Sequence, residues 1–372
     1  MASGDWLPQA SNLAPAPSPG LGFCDEGAAS AKTIREKTMG RFYRASLMLG
    51  FALGLVAPTL ASAEDIKIGV LKTAGSGPVF LAQERGYFAA EGVPAQIVFF
   101  EVGSTIPVAV VSGDIDFGAT GITAALYTMA SQDAIRVIAA QAREAPGFPN
   151  NTAVASNKAA AAGLKGFKDL AGKTVAVGGL GTPPHYSLVL LAEKYGVDLK
   201  TIRVVQVGAV ANSVTAIVGG QVDASIIPVT YVMPSITNGD AKLLGYVGDE
   251  VSYQFGAAFT GFKTTNERKD TVERFLRAYR KATREYHAAF AGSDGKLAFG
   301  PGSAEILAII AKNTGQTVDQ IKMGVSFVDA EARLDMKDIQ HQIDWFKSQG
   351  MVKGEVTAKT AVDLRYATPL PE

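Results

Sequence analysis

The clearest change in hydrophobic pattern lies in residues 174–195, where strand spacing gives way to helical spacing. The β-branched run at 174–177 is typical of a buried strand, and apolar residues recur one helical turn apart over 188–195. Gly178, Gly179 and Gly181 separate the two patterns, which predict a strand, a glycine loop and a helix. Such a helix start is either an anion site, because free N–H groups and the helix dipole coincide there, or a turn that binds nothing.

The alternation of strand and helix patterns continues on both sides of this segment. Strand patterns lie at 66–71, 95–100, 117–118, 135–140, 202–207, 224–227 and 242–247, and the one at 224–227 is expected to end in a loop at 228–231. Such alternation predicts an α/β fold with mainly parallel sheets covered on both faces. Two interruptions, at 141–151 and 253–259, are predicted crossovers between domains. We therefore expect lobe 1 at 64–148 and 255–372, and lobe 2 at 149–254.

A short internal repeat supports the division into two similar halves. The sequence Gly-x-hydrophobic-Asp occurs at 113–116 and again at 220–223. Each copy follows an amphipathic helix pattern and precedes a short strand pattern. The repeat predicts two related α/β lobes that face one another.

Composition and the N-terminal pattern indicate an exported protein. The 372 residues include 35 Lys and Arg and 35 Asp and Glu, so the chain has no basic field and nucleic acid is not an expected partner. Residues 1–38 are rich in proline and small residues, and predict a disordered or wrongly started extension. Residues 39–63 combine arginines, an apolar run too short to span a bilayer and an Ala-Ser-Ala site. This predicts a signal peptide that is cut after Ala63.

The cysteine content limits the chemistry of the mature chain. Cys24 is the only cysteine, and it lies before the predicted cut. The mature chain then has no disulfide, no thiolate metal site and no cysteine nucleophile. We expect neither a metal nor another cofactor.

Several motifs together resemble a known family. They are the sequence GPVFLAQERGYF at 77–88, SGDIDFG at 112–118, DLAGK at 169–173 and GQVDA at 220–224. With them the chain, from Ile66 to its end, is similar to the periplasmic substrate-binding proteins of ABC transporters, of the type II, two-lobed kind. More narrowly, it resembles the nitrate/sulfonate/taurine-binding group, which also includes thiamine-precursor binders. The resemblance implies two lobes joined by two hinge crossovers, capture of a small molecule in the cleft between them, and delivery to a permease in the inner membrane. We expect a monomer.

The resemblance also implies where the ligand binds, because this family uses loops at the carboxyl ends of strands, as open α/β sheets generally do. Hydroxyls and backbone N–H groups in these loops suit a small anion without a buried counter-charge. The expected ligand-binding residues are Thr73, Ser76, Gly77, Ser104, Thr105, Thr120, Gly121, Arg143, Gly181, Thr182, His185, Thr230 and Tyr231.

Several of these residues have an alternative structural role. Ser76 and Ser104 are also suited to capping helices, and Thr120 to joining a strand to a helix. His185 is either a neutral donor to the ligand or a packed histidine. Arg143 either clamps an acidic group or belongs to the hinge or the surface. Tyr231 is either an aromatic wall of the site or part of the core.

An enzyme on the same fold is the alternative function. Chorismate dehydratases and a pyrimidine synthase share this architecture, but the synthase uses a cysteine-rich motif and an active histidine. The mature chain lacks cysteine, and His287 and His341 lie in C-terminal helix patterns. We therefore expect no catalytic residues. The predicted site loops lack Asp and Glu, which favours an anion or a neutral polar ligand, and we expect an organic sulfonate or carboxylate.

Overall fold

The computed structural model describes residues 65–371. The expectations for residues 1–63, including the signal peptide and Cys24, lie outside the described residues. In the described part of the chain, no helix is both long and apolar enough to cross a membrane.

Twelve strands and fifteen α-helices follow one another along residues 65–371. The strands are β1 Ile66–Leu71, β2 Ala95–Phe100, β3 Phe117–Gly121, β4 Ile135–Ala140, β5 Arg143–Glu144, β6 Asn151–Ser156, β7 Thr174–Val177, β8 Arg203–Gln206, β9 Ala224–Pro228, β10 Ala241–Tyr246, β11 Tyr253–Gln254 and β12 Gly256–Gly261. The helices are α1 Gly77–Glu84, α2 Tyr87–Ala90, α3 Ile106–Ser112, α4 Ala124–Ser131, α5 Asn157–Ala161, α6 Pro183–Tyr195, α7 Val210–Val218, α8 Val229–Thr237, α9 Val247–Glu250, α10 Phe262–Glu267, α11 Lys269–Phe290, α12 Ser303–Thr314, α13 Val318–Met323, α14 Met336–Ser348 and α15 Ala358–Ala361.

The strands form two five-stranded sheets. The first has the order β2-β1-β3-β12-β4. In this sheet β1 is parallel to β2 and β3, and β12 is antiparallel to β3 and β4. The second has the order β10-β6-β9-β7-β8, with β7 parallel to β8 and β9, and β6 antiparallel to β9 and β10. The predicted α/β fold with two sheets is confirmed.

The chain passes between the sheets twice. The first passage runs from β4 through β5 to β6, and the second runs from β10 through β11 to β12. Strands β5 and β11 pair with each other as a separate antiparallel ribbon. The bounds of the two lobes stay a prediction, but both predicted crossovers contain a strand of this ribbon.

Two elements differ from the sequence-based expectation. Helix α8 occupies 229–237, where a loop was expected at 228–231, although it contains Pro234 and several β-branched residues that disfavour helices. Strand β6 begins at Asn151, which was assigned to the crossover. All six of its residues are buried, so its mixture of small and polar side chains gives no alternating pattern. In both segments packing outweighs local propensity.

The repeated Gly-x-hydrophobic-Asp sequence forms the same turn in both halves. Asp116 Oδ2 accepts from the N–H of Lys67 at 2.8 Å, and Asp223 Oδ2 accepts from the N–H of Thr174 at 2.8 Å. The aspartates also donate their own N–H groups to the carbonyls of those residues, at 2.9 Å in both cases. Each aspartate thus fixes the start of an inner strand, β1 in the first sheet and β7 in the second.

Helix α14 links the two halves near the ribbon of β5 and β11, which is called the hinge ribbon below because both predicted crossovers run through it. Its Trp345 and Phe346 pack against Tyr186 of α6, with ring centroids 6.2 and 5.9 Å apart. Asp338 of α14 accepts from the N–H of Gln254 in β11 at 2.8 Å. The C-terminal region therefore contacts the second sheet's helix α6 as well as the hinge.

Candidate functional site

A cavity lies where the carboxyl ends of strands from both sheets meet. Its empty volume is about 950 Å³, including the part open to solvent. Segments that follow β1, β2 and β3 line it from the first sheet, and segments that follow β7, β8 and β9 line it from the second. Residues of the hinge passages and Gly324 after α13 complete the lining. This is where open α/β sheets generally bind ligands.

The structure brings part of the predicted set into this cavity. The predicted residues that line it are Thr73, Ser76, Thr120, Gly121, Thr182 and Thr230. Two of them also brace their own loops, since Ser76 Oγ donates to the carbonyl of Leu71 at 2.9 Å and Thr182 Oγ1 donates to that of Gly179 at 2.6 Å. Contact of these residues with a ligand stays a prediction.

Three buried polar atoms of lining residues have no hydrogen-bond partner among residues 65–371. They are Thr120 Oγ1, at the end of β3, Asn151 Oδ1, at the start of β6, and Thr230 Oγ1, in the first turn of α8. The residues are only 3, 1 and 1 % exposed. An unpaired buried polar group costs about 1–3 kcal/mol, so three around one cavity, contributed by both sheets, indicate groups that a ligand could satisfy.

The glycine loop before α6 is less open to an anion than its sequence suggests. The N–H of Leu180 donates to Gln206 Oε1 at 3.1 Å, and the N–H of Gly181 donates to His185 Nδ1 at 3.2 Å. Pro183 and Pro184 supply no N–H at the first two helical positions. Gly178 and Gly179 still line the cavity, but much of the helix start is used within the protein.

His185 is a packed histidine and does not line the cavity. It is 6 % exposed, and its ring meets that of Trp345 edge to face at 5.3 Å. Burial lowers the pKa of His185 to about 4, so the ring is neutral at physiological pH. Because Nδ1 accepts from Gly181, the ring proton is on Nε2.

Arg143 lies outside the cavity, in the ribbon of β5 and β11. It lies in β5, and its Nη2 pairs with Asp335 Oδ2 at 2.9 Å. Asp335 caps α14 through a hydrogen bond to the N–H of Asp338. The guanidinium therefore joins the hinge ribbon to α14 and is not among the residues that line the cavity.

The other predicted residues outside the cavity have structural contacts. Gly77 begins α1 where a Cβ atom would come within 2.9 Å of Ile310 Cδ1. Ser104 and Thr105 lie in a short turn, and Thr105 Oγ1 donates to the carbonyl of Val102 at 2.7 Å. Tyr231 is partly buried and lines a neighbouring cavity, and its Oη donates to the carbonyl of Lys72 at 2.8 Å.

Sequence reasoning missed polar residues that line the cavity. Gln141, Asn150 and Asn151 belong to a stretch that was assigned only to the crossover. Glu101 directly follows β2, so the strand-end rule pointed to it, and its presence corrects the expectation that the site carries no acidic side chain. Among the described residues that line the cavity, none is a lysine or an arginine.

A buried carboxylate lies behind the two asparagines. Glu144 Oε1 accepts from Asn150 Nδ2 at 2.7 Å and from Asn151 Nδ2 at 2.5 Å. Burial raises the pKa of Glu144 to about 7, while the hydrogen bonds from the asparagines partly oppose that rise. Within residues 65–371, no group of three or more His, Cys, Asp and Glu side chains is arranged to hold a metal ion.

Comparison with known proteins assigns the family. The NMT1/THI5-like family matches residues 74–289, which is more than half of the chain. The chain belongs to this family. No curated protein matches it in sequence.

Solved structures share the fold. The alkanesulfonate-binding protein SsuA from Xanthomonas axonopodis pv. citri, bound to MOPS, aligns with a TM-score of 0.65 at 21% identity, over 82% of this chain and 99% of its own. The periplasmic nitrate-binding protein NrtA from Synechocystis PCC 6803 aligns with a TM-score of 0.57 at 14% identity, over 78% and 81%. An enzyme, the desulfurization enzyme DSZB, aligns with a TM-score of 0.56 at 11% identity, over 82% and 96%. The periplasmic-binding-protein-like fold expected from the sequence is thus confirmed.

Proposed function

We propose that this protein is an extracytoplasmic solute-binding protein that captures a small anionic organic molecule, a sulfonate or a carboxylate, and delivers it to an ABC importer. One observation carries the proposal: unpartnered buried polar atoms from both sheets line a single cavity. Membership of the NMT1/THI5-like family and the likeness to sulfonate- and nitrate-binding proteins support it.

The lining suggests how an acidic group is held. Hydroxyls of Thr120 and Thr230 and backbone N–H groups can donate to sulfonate or carboxylate oxygens. With no lysine or arginine among the described lining residues, recognition depends on neutral donors. Glu101, the one carboxylate among the described residues of the lining, is exposed, so solvent screens it from the ligand.

The mechanism is closure about the hinge ribbon of β5 and β11, with lobe 1 at 64–148 and 255–372 and lobe 2 at 149–254. A ligand that contacts both lobes favours the closed form. It can shift the equilibrium between the open and closed forms only by the difference between its affinities for the two forms. In this proposal residues 39–63 direct export to the periplasm, where the protein works as a monomer and its closed form docks on the permease. No catalytic step and no cofactor is part of the proposal.

A thermal-shift screen tests the proposal. The full-length gene is expressed, the protein is purified from the periplasm, and it is screened against organic sulfonates, carboxylates, nitrate and pyrimidines. We expect the melting temperature to rise with a sulfonate or a carboxylate, because a ligand that binds the folded state stabilises it. A screen without any shift would contradict the binding role, and product formation in a positive mixture would favour an enzyme.

A further inference from the structure

Asn151 lies at the hinge end of the cavity and carries a buried acceptor without a partner among the described residues. It begins β6, directly after the first passage between the sheets, and it lines the cavity. Its side chain is almost completely buried, and its Nδ2 donates to Glu144. Its Oδ1 has no hydrogen-bond partner in residues 65–371.

Glu144 determines which way this amide faces. Glu144 Oε1 accepts from the NH₂ groups of both asparagines, so the NH₂ group of Asn151 points toward the carboxyl group and the amide oxygen points away from it. Glu144 is 0 % exposed and lies in the hinge ribbon, where it pairs with Tyr253. Turning the Asn151 amide over would place its oxygen against the carboxylate, and this repulsion keeps Oδ1 as the group that is left for another donor.

The neighbouring Asn150 differs from Asn151 in one respect. Its Nδ2 also donates to Glu144, but its Oδ1 accepts from Ser326 Oγ at 2.6 Å. Both polar groups of the Asn150 side chain are therefore used within the protein. Of this pair, only Asn151 keeps a free acceptor.

We infer that Asn151 Oδ1 accepts a hydrogen bond from the ligand and that Glu144 is the positioning residue that holds it in that orientation. The inference rests on the proposed function, because it takes the cavity to be the solute site. It requires a ligand with an N–H or O–H donor in addition to its acidic group. The chemical class is an amino- or hydroxy-substituted sulfonate or carboxylate, since a simple anion such as nitrate has no donor for Asn151.

Matched ligand pairs test this requirement by calorimetry on the protein purified from the periplasm. One pair is 2-hydroxyethanesulfonate and propane-1-sulfonate, and the other is 3-hydroxypropanoate and butanoate. Within each pair a methyl group replaces the hydroxyl at nearly constant size. We expect the hydroxylated member of at least one pair to bind about 10- to 100-fold more tightly, because its methyl analogue leaves Oδ1 unpaired.

Variants separate positioning from general loss of structure. Asn151→Ala should bring the ratio of the two dissociation constants close to one. Glu144→Gln should lower the ratio to about threefold or less, because a glutamine can also donate to Asn151 and so permits the amide to turn. Asn150→Ala is the matched control: it should weaken both ligands by the same factor and keep the ratio.

The outcomes distinguish this inference from the proposed function. Equal binding of both members of a pair by the unchanged protein would overturn the inference and leave the solute-binding role intact. The inference would also be overturned if the ratio of the two dissociation constants stayed the same in Glu144→Gln and Asn151→Ala. If neither pair binds, the inference fails, and the broad thermal-shift screen decides separately on the solute-binding role.

Discussion

The N–H of Ala124 donates to the carbonyl oxygen of Gly181 at 2.8 Å, and this hydrogen bond joins the two halves of the molecule through their main chains. Ala124 begins α4 after a strand of the first sheet, and Gly181 lies in the loop after β7 of the second. Gly181 has a φ of +69°, and a Cβ atom there would lie 2.8 Å from Ala124 Cβ. The absence of a side chain at Gly181 therefore permits this close contact.

Replacing Gly181 should weaken closure. In Gly181→Ala the new methyl group meets Ala124, and the left-handed backbone adds about 1–2 kcal/mol of strain. We expect about tenfold weaker ligand binding and a larger radius of gyration in the presence of ligand, measured by calorimetry and small-angle scattering. Gly196→Ala is the control, since Gly196 has a φ of +66° with nothing within 4 Å. Equal affinity in the two variants would show that the contact is irrelevant to binding.

Tyr231 provides a second bond between the halves. Its Oη on α8 donates to the carbonyl of Lys72, in the loop after β1, at 2.8 Å. Tyr231→Phe removes this bond and should weaken ligand binding about three- to tenfold, chiefly through faster dissociation. Stopped-flow kinetics would measure the rate. Tyr195→Phe is a suitable control because the Tyr195 hydroxyl donates to Glu250, which also lies on the side of the second sheet. An equal loss of ligand affinity in Tyr195→Phe would argue against a role of the Tyr231 hydrogen bond in closure.

The stability of the protein should depend on pH through Glu144. Its pKa rises from 4.5 to about 7 on folding because of burial, so the folded state retains a proton that the unfolded chain releases. Its contribution to stability is complete below about pH 4.5 and is lost as the pH rises through 7. Burial also raises the pKa of Asp338 to about 6, so Asp338 likewise lowers the free energy of unfolding as the pH rises. The pKa of His185 is lowered to about 4, so below pH 6.5 this residue has the opposite effect and raises the free energy of unfolding as the pH rises.

Glu144→Gln should therefore flatten the pH dependence. The free energy of unfolding should decrease between pH 5 and pH 8 in both proteins. We expect this decrease to be about 2 kcal/mol smaller in the variant than in the unchanged protein. Urea unfolding at four pH values would measure the difference. Asp338 and His185 are the same in both proteins, so their contributions cancel, and parallel curves would contradict the role assigned to Glu144.

The repeated aspartates should contribute to stability and not to binding. Asp223→Ala leaves the N–H of Thr174 without its carboxylate acceptor and should lower the free energy of unfolding by about 1–3 kcal/mol. Urea unfolding would measure the loss, with Asp240→Ala at an exposed position as the control. An equal effect of the two substitutions would show that the turn does not hold β7.

Much of the architecture was predictable because it depends on local pattern. Periodicity places β7, the glycine loop and α6 correctly, and the repeated Gly-x-hydrophobic-Asp sequence marks two equivalent turns. The strand-end rule places Thr120, Thr182 and Thr230 at the cavity. These features follow from short stretches of sequence and one general rule of α/β sheets.

The remaining site residues depend on contacts between distant parts of the chain. Asn151 lines the cavity because β6 pairs with β9 and β10, which no local pattern at 141–151 indicates. His185 is turned away because Gly181 donates to its ring and Trp345 packs against it. Arg143 is held by Asp335, which lies 192 positions later in the chain. Such partners are fixed only by the complete fold.

The central claim is that the cavity between the sheets binds the solute through polar groups of both. Calorimetry on Thr120→Val/Thr230→Val, with the sulfonate or carboxylate that most raises the melting temperature, tests it most directly. We predict at least about tenfold weaker binding with no loss of stability in the free protein, because neither hydroxyl has a partner there. Thr237→Val, at an exposed position of α8, should bind normally. Unchanged affinity in the double variant would contradict the claim.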